Sequence, residues 1–134
     1  GGHVHLSFAV DGATPKNLHK YNIIRMLDLA LGVPSILLDD DNDRRRHYGK
    51  AGAFRDKGEN RVEYRTLSNF WIRNDTLKEW VFNNVAWACR QLNSRGRHGL
   101  WGDLYKSTIT KCIAESDKNL ANSIIKSHFV PMPS

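Results

Sequence analysis

Cysteine is scarce in this chain of 134 residues: Cys89 and Cys112 stand far apart, in helix-like stretches, and neither has ligand-type spacing. A disulfide scaffold and a cysteine-based metal cluster are thereby excluded, and both thiols read as reduced core fillers. No signal peptide stands out and no apolar run approaches the eighteen or so residues of a membrane span, which favours a cytoplasmic protein. There is no internal repeat and no low-complexity segment. Acids are the minority charge, 14 against 20 Lys and Arg, giving a net charge of +6 and a pI near 9.6. That excess favours polyanionic partners such as nucleotides, phosphates or nucleic acid. At 40% hydrophobic and 10% aromatic residues the chain can bury a modest core, as one domain. It opens on Gly-Gly, with its first chemically loaded residue at His3. The expectation is of a fragment or processed product whose further strands lie upstream.

What is present is concentrated in two short extended runs. On a strand, residues two apart share a face. In the first run His3, His5 and Ser7 line one side, with Val4, Leu6 and Phe8 on the other. In the second, Arg61, Glu63 and Arg65 share a face opposite Val62 and Tyr64. An apolar back with imidazoles, a carboxylate and guanidiniums in front suits a metal or a phosphate.

Around these runs the pattern predicts strand 3–10, ended by the turn pair Asp11-Gly12, then a helix over 18–32 capped by Asn17 and stopped by Gly32 and Pro34. A charge block, 39–47, reads as solvated loop. Tyr48-Gly49-Lys50-Ala51-Gly52-Ala53-Phe54-Arg55 is a glycine-containing segment suited to close backbone approach, followed by a polar turn at 56–60 and a strand at 61–67. Thr76 and Glu79 form a capping-box pattern, ahead of a helix bearing Leu77, Trp80, Val81, Val85, Ala88, Cys89 and Leu92. A Gly/Arg-rich loop covers 94–102, with shorter helices at 103–115 and 117–128. Trp71, Trp80 and Trp87 are expected in the core. The fold class is α+β: an antiparallel sheet with helices on its apolar face and a helical C-terminal part.

The histidine pair and the Arg-flanked Glu63 are each modest signals, since exposed strand histidines and surface ion pairs are common. Together with a Lys/Arg-bearing glycine segment they form a set suited to phosphoryl transfer. That chemistry needs divalent metal and fixed cations where charge accumulates. Magnesium prefers oxygen ligands; a His/Glu set suits manganese as well, and leaves zinc open.

His3-Val-His5-Leu-Ser7, Lys50-Ala-Gly-Ala-Phe-Arg55 and Arg61-Val-Glu63-Tyr-Arg65, in that order, resemble the C-terminal half of the glutamine synthetase catalytic domain and its wider carboxylate–amine ligase superfamily, which includes the glutamate–cysteine ligases. The likeness is closest to phage-encoded carboxylate–amine ligases, where Glu63-Tyr-Arg-Thr-Leu-Ser-Asn-Phe-Trp71 also has its counterpart. Over 1–72 the resemblance implies part of a ligase catalytic domain, with 73–134 its helical continuation.

It further implies ATP and Mg²⁺ or Mn²⁺ as cofactors, and a small-molecule or peptide carboxylate and an amine as substrates. His3 and Glu63 would be metal ligands, and His5, Ser7 and Arg55 would lie on the nucleotide. Arg65 would bind the substrate carboxylate or the transferred phosphoryl group. Lys50 stands where glutamine synthetase has an arginine, keeping the charge and losing the fork. A family strand with paired glutamates is expected upstream, so the chain should hold less than a full active site and be inactive alone. Two other readings compete: a basic nucleic-acid-binding module using Arg44 to Arg46 and Arg95-Gly-Arg97-His98, and a metal-dependent nuclease using His3, His5 and Glu63.

Overall fold

In the computed structural model, residues 2–7, 16–40, 42, 49–58, 60–95 and 104–133 are described. The Asp11-Gly12 turn, Phe8, Arg44 to Arg46, Tyr48 and the Arg97-His98 loop lie outside them, as do the side chains of Asn17 and Leu18.

The alternating apolar and charged residues of Arg61–Tyr64 (β3) make it a strand with two unlike faces, and it occupies the centre of a three-stranded antiparallel sheet ordered β1-β3-β2. Strand β1, Val4–Ser7, pairs Val4 with Tyr64 and His5 with Glu63. Strand β2, Phe54–Asp56, pairs Phe54 with Tyr64 and Arg55 with Glu63. The β2 strand was not expected, because its three residues are too few to show a period. It is held by a hairpin turn in which Gly58 (φ 110°) and Asn60 (φ 58°) take left-handed conformations.

The apolar face of the sheet, with Val4, Val62 and Tyr64 buried, is covered by helices. Helix α1 is Lys16–Leu27, so Asn17 falls inside it rather than ahead of it. Its Tyr21 packs edge-on against Phe54 at 5.8 Å and is half exposed. Lys20 is buried from the same helix, its ammonium donating to Asp56 Oδ1 at 2.6 Å and to the Gly58 carbonyl at 2.8 Å.

Gly32 and Pro34 do not end the helical run. It passes through a π-helical turn, Asp28–Gly32, closed by Val33 N–H donating to the Asp28 carbonyl, and continues as α2, Val33–Leu38. Pro34 brings no N–H to this continuous run, and Ala30 O, four residues earlier, accepts instead from Asn84 Nδ2 at 2.8 Å. Ser35 Oγ donates to Gly32 O at 2.6 Å. Gly32 instead makes room, since a Cβ there would lie 2.9 Å from the Tyr64 hydroxyl and 3.0 Å from Ile113 Cδ1. The continuous stretch Lys20–Leu38 is thus long and apolar enough to cross a membrane by length and composition, against the expectation that no such run exists. Here 78% of that window is buried, with Leu27, Leu29, Ala30, Leu31 and Val33 at the centre of the core.

Helix α3, Asp75–Arg95, is capped by Asn74 and not by Thr76. The Asn74 carbonyl takes the first helical bond, from Lys78 N–H, and its Oδ1 accepts from Leu77 N–H at 3.0 Å. Trp80 and Trp87 are buried as expected, while Trp71 is partly exposed against Phe82. A second π-helical turn, Leu104–Ile109, leads into α4, Thr110–Glu115, and then α5, Lys118–His128, whose Asp117 cap accepts from Leu120 N–H. Cys112 is buried, Cys89 is partly so, and neither is in a disulfide.

Asn84 is fully buried and also donates to Pro131 O at 2.9 Å, joining the helical run, α3 and the C-terminal tail. Replacing Asn84 by Ala strands the Ala30 carbonyl away from water. The expected cost is about 2 kcal/mol in urea denaturation, with the unfolding slope unchanged.

Candidate functional site

The charged face of the sheet forms a row across three strands: His5 on β1, Glu63 on β3 and Arg55 on β2, directly opposite one another. Glu63 is at the middle. Its Oε1 lies 3.2 Å from His5 Nε2 and 3.6 Å from His3 Nδ1. Its Oε2 accepts from Arg65 at 3.3 Å and lies 3.9 Å from Arg55 Nε. Although Glu63 sits on the outward face, these neighbours leave it only 6% exposed. Burial alone would push its carboxyl up, but the opposing charges of His3, Lys57, His5 and Arg55 outweigh that and hold it below its ordinary range.

The structure therefore brings together five of the seven residues singled out in the sequence: His3, His5, Arg55, Glu63 and Arg65. Ser7 lies further along β1, opposite Arg61. It lines an open hollow of about 510 Å³ with His5, Leu6, Lys57, Arg61 and Val62. Lys57 had escaped notice because it belongs to a turn, whereas Arg61 had been placed on the charged face without a role of its own. Lys50 is exposed and enters none of the described bonds around Glu63.

Both imidazoles aim a nitrogen at the same Glu63 oxygen, and among the described residues no group of three or more His, Cys, Asp or Glu is arranged to hold a metal ion. Turned from Glu63 toward an ion, the two imidazoles would give with it two nitrogens and one carboxylate, a set nearer the preference of manganese or zinc and short of oxygens for magnesium unless a ligand brings them.

The glycine segment is fastened behind this row. Lys50 to Ala53 form a turn in which Ala53 N–H donates to Lys50 O at 3.0 Å, with Gly52 at φ 76° in the third position, where glycine is favoured. Arg65 N–H donates to Ala53 O at 2.8 Å and Thr66 Oγ1 to Lys50 O at 2.7 Å. The residues following Glu63 thus alternate in role. Tyr64 and Thr66 reach inward, and Ser68 Oγ donates to Asp39 Oδ2 at 2.6 Å. Trp71 Nε1 donates to Gly2 O at 3.2 Å, and Gly2 lies so close to Ser68 O that any Cβ would collide with it.

The inward partner of Tyr64 is Asp28, which sequence reasoning missed. A lone acid in an apolar helix has no spacing signal; only its place among buried positions marks it. Asp28 is wholly buried in the π-helical turn. Its Oδ1 accepts from the Tyr64 hydroxyl at 2.6 Å; its Oδ2 accepts from the Tyr105 hydroxyl at 2.6 Å and from Gly52 N–H at 2.8 Å. Burial raises its carboxyl from 3.8 to about 6 against the pull of those bonds. Burial and the Asp28 charge also push both phenols up.

Residues 1–107 match the model of the Phage phiEco32-like COOH.NH2 ligase-type 2 family, and the chain belongs to that family. This extends the resemblance past residue 72 to include Tyr105. No curated protein and no solved structure gives a match.

The sign of the Asp28 contribution follows from its raised value. Between pH 3.8 and about 6 the folded chain holds a proton that the unfolded chain has released, so stability falls as pH rises through that window. Above it, the ionised group costs about 3 kcal/mol. Asp56 and Glu63 have lowered values, so their stabilisation is lost only as pH falls below the ordinary carboxylate range. Asp28→Asn should therefore remove the downward slope between pH 4 and 6 in urea denaturation, and leave the acid limb in place.

Proposed function

We propose that the chain carries the nucleotide- and metal-facing part of an ATP-dependent carboxylate–amine ligase. The observation that carries this reading is the convergence of two imidazoles and two guanidiniums on the buried Glu63 carboxylate, in a chain of this family. A substrate carboxylate oxygen attacks the γ-phosphorus of ATP, ADP leaves, and an acyl phosphate forms. The amine nitrogen then attacks the acyl carbon, phosphate leaves and a proton is lost, giving the amide.

His3 and Glu63, with His5 beside them, are the residues that would hold a divalent ion, which when bound would offset charge on the nucleotide oxygens. Arg65 faces the transferring group or the substrate carboxylate, and Arg55 a nucleotide phosphate. The hollow lined by His5, Ser7, Lys57 and Arg61 offers a cationic bed along the nucleotide. Lys50 lies on the substrate side. The acceptor and amine are a small molecule or a peptide, the setting is the cytoplasm of a host cell, and the rest of the active site comes from elsewhere in the native protein.

Two guanidiniums beside Glu63 repel a bare cation, and nucleotide phosphates remove that repulsion. Mn²⁺ is therefore expected to bind weakly alone and tightly with ATP, in paramagnetic relaxation or calorimetry. Equal Mn²⁺ affinity with and without ATP would count against the shared site. In the native full-length protein, Glu63→Ala and Arg65→Ala should each slow amine-dependent ADP formation by at least about a hundredfold without unfolding it. Wild-type turnover in both variants removes the assignment.

A further inference from the structure

Three segments distant in sequence converge on one buried carboxylate. Tyr64 brings β3, whose neighbours Glu63 and Arg65 face the site. Gly52 brings the turn between Lys50 and β2, and Tyr105 brings the second π-helical turn. Burying a carboxylate in an apolar helix is costly unless its acceptors are filled, and a fold that needed only packing there would be served by an apolar residue. The particular geometry calls for two acceptor oxygens. Oδ1 takes one donor; Oδ2 takes both the Tyr105 hydroxyl and the Gly52 N–H. A hydroxyl can rotate to suit a changed partner, whereas a backbone N–H cannot.

We infer that Asp28 is a positioning residue for the site: its Oδ2 anchors the Gly52 amide, and through it sets where the Lys50–Ala53 turn and Arg55 stand relative to Glu63. The connection is continuous. Gly52 lies two residues beyond Lys50, and Ala53, bonded to Arg65 N–H, leads directly into β2, where Arg55 faces Glu63. From the sheet side the turn is held by Arg65 N–H and Thr66 Oγ1; from the helix side it is held by Asp28. Tyr105 shares the anchoring oxygen, and Arg25 stacks over its ring at 5.2 Å. Tyr105, from the C-terminal helical part, therefore braces the residue that anchors the turn. The role of Asp28 in catalysis rests on the ligase reading; the anchoring of Gly52 does not.

The test separates the two. Amide hydrogen exchange is followed in the wild type, Asp28→Asn and Tyr105→Phe, and Mn²⁺–ATP affinity is measured by calorimetry on the same proteins. In Asp28→Asn the Tyr64 hydroxyl can rotate to accept from the new NH₂, but the oxygen facing Gly52 N–H loses its charge and is still shared with Tyr105. Gly52 exchange should therefore accelerate by about tenfold, the difference between a charge-assisted and a neutral bond, with Val62 and Ile113 unchanged. Mn²⁺–ATP affinity should fall with it. Tyr105→Phe leaves the Gly52 bond in place and should change Gly52 exchange much less.

Gly52 protection as in the wild type, or a loss spread equally over the core amides, overturns the anchoring. Local loss at Gly52 with full Mn²⁺–ATP affinity overturns the positioning role. A wild type that does not bind Mn²⁺–ATP, yet shows the local exchange change, overturns the ligase reading and upholds the anchor. Should Asp28→Asn fail to fold, Gly52→Ala breaks the same bond from the turn side, because φ 76° strains any side chain there, and must give the same pattern.

Discussion

The structure depends on the two-residue period of β3 and the stretch that follows it. Because side chains alternate, one short segment serves two surfaces at once. Glu63 and Arg65 face outward to the histidines and Arg55; Tyr64 and Thr66 face inward to Asp28 and Lys50 O. A slip of one residue would exchange the two sets. It would aim a phenol at the imidazoles and bury a second carboxylate beside Asp28. The central position of β3 opposes such a slip, since β1 and β2 both fix its register.

Charge in this molecule is arranged around single acids. Glu63 is surrounded by cations and kept ionised, which makes it an anionic centre inside a basic face. Asp28, in the core between Leu27 and Leu29, has neutral donors only, and burial raises its carboxyl to about 6. The first arrangement suits exchange of partners, as the proposed ligand set would require. The second suits permanence, because each of its donors belongs to a different segment that must stay where it is.

Much of the site was legible in the sequence because strands advertise their faces. His3, His5, Glu63 and Arg65 were placed on common faces by alternation alone, and the two runs do meet. The α+β class and the C-terminal helices could be read for a similar reason: their apolar positions recur at the period of the element. Gly32 and Pro34 misled because their usual meaning is local. Here one makes room for the Tyr64 hydroxyl and the other follows a π-helical turn, both set by tertiary packing. Strand β2 was too short for a period to show, and Asn74 was overlooked because Thr76 and Glu79 fit the commoner pattern. Asp28 had no neighbours of its kind, and its meaning lies in what approaches it from elsewhere in the chain.

The order of the strands has a consequence for how the charged row comes into being. The hairpin of β2 and β3 closes over a four-residue turn, whereas β1 must find a partner about sixty residues away. Contacts over short separations form early and distant ones late. On that ground Arg55 and Glu63 are expected to meet first in a nascent ribbon, and the imidazoles of His3 and His5 to join them after the helical run between has packed. A molecule stalled just short of the native state would then keep its carboxylate and arginines and lack the two ring nitrogens beside them.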